Sequence, residues 1–186
     1  MLARLILFAS VLTLAGLFAR TNAAPAKPAQ ANAAPGSADW SEPFPPHRMI
    51  GNIYYVGSRG LASYLVTTPA GHILINSNLK TSVPLIRESI EKLGFRFNDV
   101  KILLISHAHF DHDAGSAEII KLTGAKYMVM DGDVSVVESG GKSDFQYGND
   151  VTLRYPATEV DRVLHDGDHV TPVSYTHLTL PTNREV

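Results

Sequence analysis

Three histidines and one aspartate within six positions are the residues of this chain best suited to chemistry. They form the pattern His-x-His-x-Asp-His and comprise His107, His109, Asp111 and His112. At this chain's own histidine and aspartate frequencies, chance produces such a pattern roughly once in a thousand chains. Imidazole nitrogens and carboxylate oxygens are ligands that suit zinc. The pattern therefore predicts a zinc site with these four residues as its metal ligands.

The spacing also predicts how the four side chains share two metal ions. Residues two apart in an extended segment point the same way, so His107 and His109 can place two imidazoles on one cation. Asp111 and His112 follow in a turn and can reach a second cation. Two-metal sites have a spacing of about 3.5–4 Å and can hold a bridging hydroxide, because zinc lowers the pKa of bound water to about 7. Asp111 is the candidate catalytic carboxylate that holds and orients this nucleophile.

For the residues near the motif and the histidines outside it, we predict structural roles and not metal binding. Isolation in the sequence predicts solvated or purely structural side chains for His47, His72, His165 and His169. The Asp-Gly-Asp stretch at 166–168 is typical of a turn. Phe110 is expected to pack beneath the motif loop, and Gly115 to permit close backbone packing. Asp113 is a candidate cap for the next helix, with a hydrogen bond to a ligand imidazole as the alternative.

Composition narrows the class of function. A chain of 186 residues with 45% hydrophobic and 18% charged residues predicts one globular domain with a packed core. The formal net charge of -2, without a long run of one sign, argues against nucleic acid or an anionic membrane as partner. The chain has no cysteine, which excludes disulfides, thiolate zinc ligands and a cysteine nucleophile.

The N-terminus has the pattern of an export signal. Arg4 precedes an almost unbroken apolar run over 5–18, and the small residues Ala23 and Ala24 offer a cleavage site. The alternative, a transmembrane anchor, needs about 20 apolar residues, and this run is shorter. We therefore predict a signal peptide at 1–23, an exported product without a membrane anchor, and an Ala/Pro-rich flexible leader at 24–38.

The elements that must position the motif follow from hydrophobic periodicity. Segments 52–56, 61–67 and 72–76 are β-rich and separated by turn signals, which predicts an antiparallel meander. A helical face over 82–93 follows, with Ser82 as its cap, Pro84 in its first turn and Gly94 at its end.

The second half of the predicted domain alternates strand and helix. We predict strands at 100–105, 127–130 and 160–164, helices at 114–122 and Val134–Glu138, and a long loop over 140–155. The metal motif directly follows the first of these strands, and sites in α/β folds lie at such strand ends. The order of elements predicts an α/β sandwich with a mixed sheet.

The motif and its flanks carry a resemblance to a known family. The segment 106–116, Ser-His-Ala-His-Phe-Asp-His-Asp-Ala-Gly-Ser, resembles the zinc motif of the metallo-β-lactamase superfamily. Flanking segments are similar to class B β-lactamases of subclass B3, namely 71–77, 90–95, 127–133 and 163–168. The resemblance runs from about residue 45 to about residue 170. It implies the αββα sandwich fold, of which this chain would contain only the N-terminal half, at 39–170.

The resemblance also implies a cofactor and an activity. It implies two zinc ions and opening of the β-lactam ring of antibiotics in the periplasm. The first zinc of that family takes three histidines, two of which match His107 and His109. The second takes the matches of Asp111 and His112 plus one more histidine. The lack of cysteine fits this subclass, because the other dizinc subclass uses a cysteine ligand.

The last residues depart from the family pattern. The two remaining histidine ligands belong to the second half of the fold, and segment 171–186 lacks the expected Gly-His-Thr. We interpret this tail as translated adaptor or vector sequence joined to a truncated gene, so His177 is a poor candidate ligand. An uncovered sheet face invites aggregation. The chain is therefore expected to bind zinc weakly and hydrolyse little, while a full-length parent is active.

Three functions remain open from the sequence. The first is a metallo-β-lactamase whose small-molecule substrate is a cyclic amide, attacked by a metal-bound hydroxide while zinc polarises the carbonyl and stabilises the leaving nitrogen. The second is another hydrolase of the same fold, such as a lactonase. The third is a non-catalytic, truncated zinc-binding product.

Overall fold

The computed structural model of the chain describes residues 37–172 and the two-residue strand Leu178–Thr179. The predicted signal peptide, nearly all of the predicted leader and His177 lie outside the described residues. The first four strands form an antiparallel meander: β1 (His47–Ile50), β2 (Ile53–Tyr55), β3 (Tyr64–Val66) and β4 (His72–Ile75). The last three confirm the predicted meander, and β1 was not predicted. Their short length matches the closely spaced turn signals between them.

The sheet then becomes parallel, because each further strand is reached through a helical crossover. Three strands extend the sheet beyond β4: β5 (Val100–Leu104), β6 (Lys126–Met130) and β7 (Arg162–Leu164). All seven strands lie in one sheet in sequence order, which confirms the predicted mixed sheet. A separate two-stranded sheet pairs β8 (His169–Val170) with β9 (Leu178–Thr179).

Four α-helices connect the parallel strands: α1 (Val83–Lys92), α2 (Phe110–Asp113), α3 (Ser116–Thr123) and α4 (Val134–Glu138). Pro84 lies in the first turn of α1, as predicted. The prediction that Ser82 caps α1 with its side chain is wrong. Ser82 ends a preceding 3₁₀ turn, Lys80–Ser82, and already has helical backbone angles, φ -82° and ψ -17°. A capping side chain needs an extended backbone at that position.

The two faces of the sheet are packed differently. Helices α1, α3 and α4 bury apolar side chains against one face, in a cluster that includes Leu65, Leu74, Ile86, Ile90, Leu103, Ile119, Tyr127 and Val137. The alternate strand residues form a smaller cluster on the other face, together with one residue of β8: Val66, Ile73, Ile102, Leu104, Leu164 and Val170. Because β4 to β7 are parallel, their carboxyl ends lie at the same edge of the sheet, where sites in α/β folds are built.

The segment between α4 and β7, residues 139–161, contains no strand and only one short 3₁₀ turn, Val151–Leu153. It matches the predicted loop, and it folds back on itself: Tyr155 N–H donates to Gly140 O at 3.3 Å. The Tyr155 hydroxyl donates to Ala108 O at 2.8 Å, so this segment is attached to the metal motif. Across the described part of the chain, no helix is both long enough and apolar enough to cross a bilayer.

His72, predicted to be structural, is a buried side chain of β4. Its ring packs edge-on against Phe95 at 5.3 Å, and its Nδ1 atom has no hydrogen-bond partner within the described chain. Burial lowers the pKa of this imidazole, although Asp99 partly opposes that change.

The lowered pKa of His72 predicts a pH dependence of folding. His72 takes up a proton more easily in the unfolded chain, where histidine has its ordinary pKa of about 6.5. The stability that its neutral ring contributes is therefore present above that pH and is lost as the pH falls below it. We expect His72→Gln to lose less free energy of unfolding than the unmodified chain between about pH 7.5 and about pH 5.5. Urea titrations at the two pH values measure this. Equal losses in both proteins would show that His72 does not titrate with folding.

Candidate metal centre

The metal motif follows β5 directly, but its first residues are not extended. Residues 106–108 form a bend, which corrects the expectation of an extended segment. The cause is Asn76, which follows β4 in the left-handed conformation with φ 66°. Its backbone N–H donates to Leu104 O at 2.8 Å, and its side-chain Oδ1 accepts from Ser106 N–H at 2.8 Å. The side-chain oxygen of Asn76 thus accepts the hydrogen bond that a backbone carbonyl would accept if the parallel pairing of β4 and β5 continued. The pairing ends there, and the chain bends after β5.

Asp111 and His112 follow in a turn, as predicted, which is the single helical turn α2. The backbone after β4 holds this helix: Ser77 N–H and Asn78 N–H both donate to His112 O, at 3.0 and 3.2 Å. Gly115 N–H donates to Asn78 O at 2.9 Å. The loop after β4 thus fixes the position of α2 relative to the sheet.

The expectation for Gly115 is confirmed. A β-carbon at this position would lie 2.7 Å from Ser77 O, 2.9 Å from Val83 Cγ2 and 3.1 Å from Leu79 O. Real β-carbons do not approach backbone oxygens so closely, because such distances lie inside van der Waals contact. Only glycine allows α2 and α3 to sit against the loop after β4.

Three motif side chains converge on one point. His107, Asp111 and His112 each offer a ligand atom, and these atoms all lie within 4.8 Å of one another. The rings of His107 and His112 are 4.0 Å apart between centroids, and His112 Nε2 lies 3.4 Å from Asp111 Oδ2. Ser106 Oγ lies 3.2 Å from the Nδ1 atoms of both histidines, so their Nε2 atoms remain for a metal ion.

His109, the fourth predicted ligand, lies beside this group and has other neighbours. Its ring is 4.5 Å from that of His107 and contacts the ring of Tyr147 edge-on at 5.0 Å. Its Nε2 atom lies 3.4 Å from Asp144 Oδ2. The structure thus groups His107 with Asp111 and His112, whereas the spacing had paired it with His109.

Asp144 and Tyr147 are contacts of the site that the sequence reasoning did not identify. Both lie in the segment 139–161, which has no periodicity to place it. The one local signal is an aspartate that starts a turn: Asp144 Oδ1 accepts the N–H groups of Gln146 and Tyr147, both at 2.7 Å.

Burial keeps the clustered imidazoles neutral. It lowers the pKa of His107, and it lowers that of His112 to about 4, although Asp111 opposes both changes. Neutral imidazole has a lone pair for a metal ion, so both rings are in the form that binds zinc at neutral pH. Two neutral imidazoles and one carboxylate are also a donor set that zinc accepts. The residues present therefore fit the metal that the motif implies.

Asp113 neither caps α3 nor contacts a ligand imidazole, so both predictions for it are wrong. Its Oδ1 atom accepts hydrogen bonds from Ser116 Oγ and from the Tyr127 hydroxyl, each at 2.5 Å. Burial raises the pKa of Asp113 to about 6, and hydrogen bonding by Ser116, Tyr127 and Tyr155 limits that increase. Asp113 is the last residue of α2, and its carboxylate accepts a hydrogen bond from Tyr127 in β6. It therefore connects α2 to β6 instead of capping α3.

The remaining predictions concern residues outside this group. Among the described residues, His47, His72, His165 and His169 do not belong to the metal-binding group. The predicted turn at 166–168 is present, because Asp168 N–H donates to His165 O at 3.0 Å. Phe110 is half-buried and lies 5.9 Å from the ring of Trp40.

Comparison with known proteins places these features in a family. Residues 57–183 match the family model described as the metallo-beta-lactamase superfamily. The matched range overlaps the tail 171–186, whose assignment as foreign sequence stays a prediction. FEZ-1 metallo-beta-lactamase from Legionella gormanii is 63% identical, with a TM-score of 0.69 over 70% of this chain and 50% of that one.

Two further relatives extend the comparison. LRA-12, a class B3 di-zinc metallo-beta-lactamase from an Alaskan soil metagenome, is 44% identical, with a TM-score of 0.70 over 73% of this chain and 51% of that one. A UPF0173 metal-dependent hydrolase of Anaeromyxobacter sp. (strain K) is 36% identical over 90 residues, 46% of this chain and 30% of the relative. The chain thus spans about half the length of these solved structures and less of the curated relative. The fold predicted from the resemblance is confirmed, and the chain belongs to the metallo-β-lactamase superfamily.

Proposed function

We propose that a full-length protein containing this chain is a zinc-dependent hydrolase that opens the ring of β-lactam antibiotics. The observation that carries the proposal is the convergence of His107, Asp111 and His112 at the carboxyl edge of the parallel strands. The choice of substrate is supported by the names of the solved neighbours, FEZ-1 and LRA-12. The curated hydrolases share only the broader activity in their names.

The metal would be held by the three converging side chains together with the adjacent His109, with two zinc ions in the full-length protein. Zinc, when bound, supplies a Lewis acid and lowers the pKa of a water molecule toward neutrality. The protein residues prepare this chemistry. Ser106 lies against both Nδ1 atoms of His107 and His112, which orients the rings and directs their Nε2 atoms to the ion.

Asp111 is proposed as the catalytic carboxylate. It lies beside His112 Nε2 and has acceptor oxygens that can orient a water molecule and hold its proton. In the hydrolysis, the water oxygen forms a bond to the lactam carbonyl carbon, the carbon–nitrogen bond breaks, and the nitrogen takes up the proton. No side-chain nucleophile is required.

We also propose that the full-length protein is exported to the periplasm, where it would confer resistance to β-lactams. The basis is the pattern of Arg4, the apolar run 5–18 and the small residues Ala23 and Ala24. N-terminal sequencing of the protein from a periplasmic extract tests this, and a mature start near Ala24 is expected. A product that keeps the apolar run would contradict it.

The experiment that tests the substrate compares two ring types. The purified full-length gene product is incubated with a carbapenem and, separately, with an acyl-homoserine lactone, before and after zinc removal by a chelator. We expect carbapenem hydrolysis that is lost without zinc and restored by it, with about two zinc ions per chain. Hydrolysis of the lactone but not of the carbapenem would show that the full-length protein is a lactonase and not a β-lactamase. Substoichiometric zinc without turnover would indicate a non-catalytic protein.

A further inference from the structure

Asp144 occupies an unusual position for a surface-loop aspartate. Its side chain is only 6% exposed, and one carboxylate oxygen is fully used by the backbone turn that it starts. The other oxygen, Oδ2, is turned away from that turn and lies 3.4 Å from His109 Nε2. The same turn places Tyr147 against the His109 ring. Asp144 therefore presents a fixed, negatively charged acceptor to one nitrogen of a motif histidine.

An acceptor close to one imidazole nitrogen favours the tautomer that has its proton on that nitrogen. A carboxylate can only accept hydrogen bonds, so Asp144 favours His109 with its proton on Nε2. Nδ1 then has the free lone pair. The opposite holds for His107 and His112, whose Nδ1 atoms face Ser106. Ser106 thus contacts the Nδ1 atoms of His107 and His112, whereas Asp144 contacts the Nε2 atom of His109.

We propose that Asp144 is a positioning residue of the metal centre, which orients the His109 imidazole through its Nε2 atom. The proposal rests on the proposed zinc-dependent function of the same site. Metal-binding histidines generally donate their other N–H to a carboxylate or carbonyl, and loss of that partner typically weakens metal binding by about 10–100-fold.

A turn-forming role does not by itself explain the geometry. Asp150, in the same segment, starts a turn of the same kind: its Oδ1 atom accepts from Thr152 N–H at 2.9 Å and Thr152 Oγ1 at 2.6 Å. Asp150 is exposed, and one oxygen is enough for this structural task. The second oxygen of Asp144 is the feature that reaches the site.

Asp144 and Asp150 allow a matched experiment on the 186-residue chain, in which the same substitution is made at each position. Asp144→Asn keeps an acceptor oxygen in the Oδ1 position that the turn needs, and it replaces Oδ2 by an NH₂ group, which cannot accept the His109 proton. Asp150→Asn makes the same change away from the site. Zinc affinity is measured by competition with a chromophoric chelator, and we expect Asp144→Asn to lose about 10–100-fold and Asp150→Asn less than about twofold. Urea unfolding of both variants measures any loss of the shared turn function.

A second measurement needs no variant and no metal. Long-range ¹H–¹⁵N NMR spectra of the metal-free chain report which nitrogen of His109 is protonated, and we expect Nε2. A proton on Nδ1, or unchanged zinc affinity in a folded Asp144→Asn variant, would overturn the proposal while leaving zinc-dependent hydrolysis intact. Absence of zinc-dependent hydrolysis by the wild-type full-length gene product would instead remove the proposed function, and the NMR result would still decide the Asp144 contact.

Discussion

Asp111→Ala is expected to lower the zinc affinity of the chain more than about 100-fold, which exceeds the typical effect of losing an indirect partner. Asp111 supplies the only carboxylate of the converging group, so the substitution leaves two neutral imidazoles and no negative charge to balance the cation. In the full-length protein we expect β-lactam hydrolysis to fall with it, because the same oxygens are proposed to orient the attacking water. Equilibrium dialysis against zinc and a steady-state hydrolysis assay measure the two effects.

The control for this substitution is Asp131→Ala. Asp131 also follows a parallel strand at the same edge of the sheet, but it is exposed, and its Oδ1 atom accepts from Gly132 N–H at 2.7 Å. Zinc affinity of this variant should stay within about twofold, because no metal-binding atom is removed. Asp111→Ala protein that is folded and retains wild-type zinc affinity would mean that the motif does not bind metal through this carboxylate.

Gly115→Ala is expected to destabilise the chain by about 1–3 kcal/mol, the usual cost of forcing an additional carbon into a packed site. The added methyl group would meet Ser77 O, Leu79 O and Val83 Cγ2, two of which are rigid backbone atoms. Relief requires the loop after β4 to move. The same loop donates two hydrogen bonds to His112 O, so we expect weaker zinc binding together with the lower stability.

Gly124→Asn provides the comparison, because it lies at the other end of the same helix. Gly124 has φ 68°, and a β-carbon there would meet no atom within 4 Å. Asparagine tolerates this backbone conformation, so the loss should be less than about 1 kcal/mol and zinc affinity should not change. Urea unfolding with and without zinc separates the two variants. Equal stability of Gly115→Ala and wild type would show that the loop yields without cost.

The metal centre depends on three segments that lie far apart in the chain. The motif brings the candidate ligands, the loop after β4 holds the motif, and the segment 139–161 contacts His109 through Asp144 and Tyr147. The connecting hydrogen bonds span large sequence distances: Asn76 to Ser106 spans 30 residues, and Tyr155 to Ala108 spans 47. Substitutions in the two supporting segments should therefore affect metal binding without touching a ligand.

Much of this architecture could be predicted from local patterns. The meander, the alternation of strand and helix and the mixed sheet follow from hydrophobic periodicity, which depends on neighbouring residues only. The four motif residues could be identified because they lie within six positions of one another. Ser82 and Asp113 were assigned as caps from residue type, and the structure corrected both, because each backbone was already helical where a cap must be extended.

The sequence by itself determined the candidate ligands, their place after a buried strand and the family of the fold. Only the tertiary structure decided how the ligands are grouped. Asn76 bends the motif so that His107 meets Asp111 and His112, and Asp144 faces His109 from a segment without periodicity. The physical reason is that orientation is set by hydrogen bonds between residues distant in sequence, and no local pattern encodes which distant acceptor a side chain will meet.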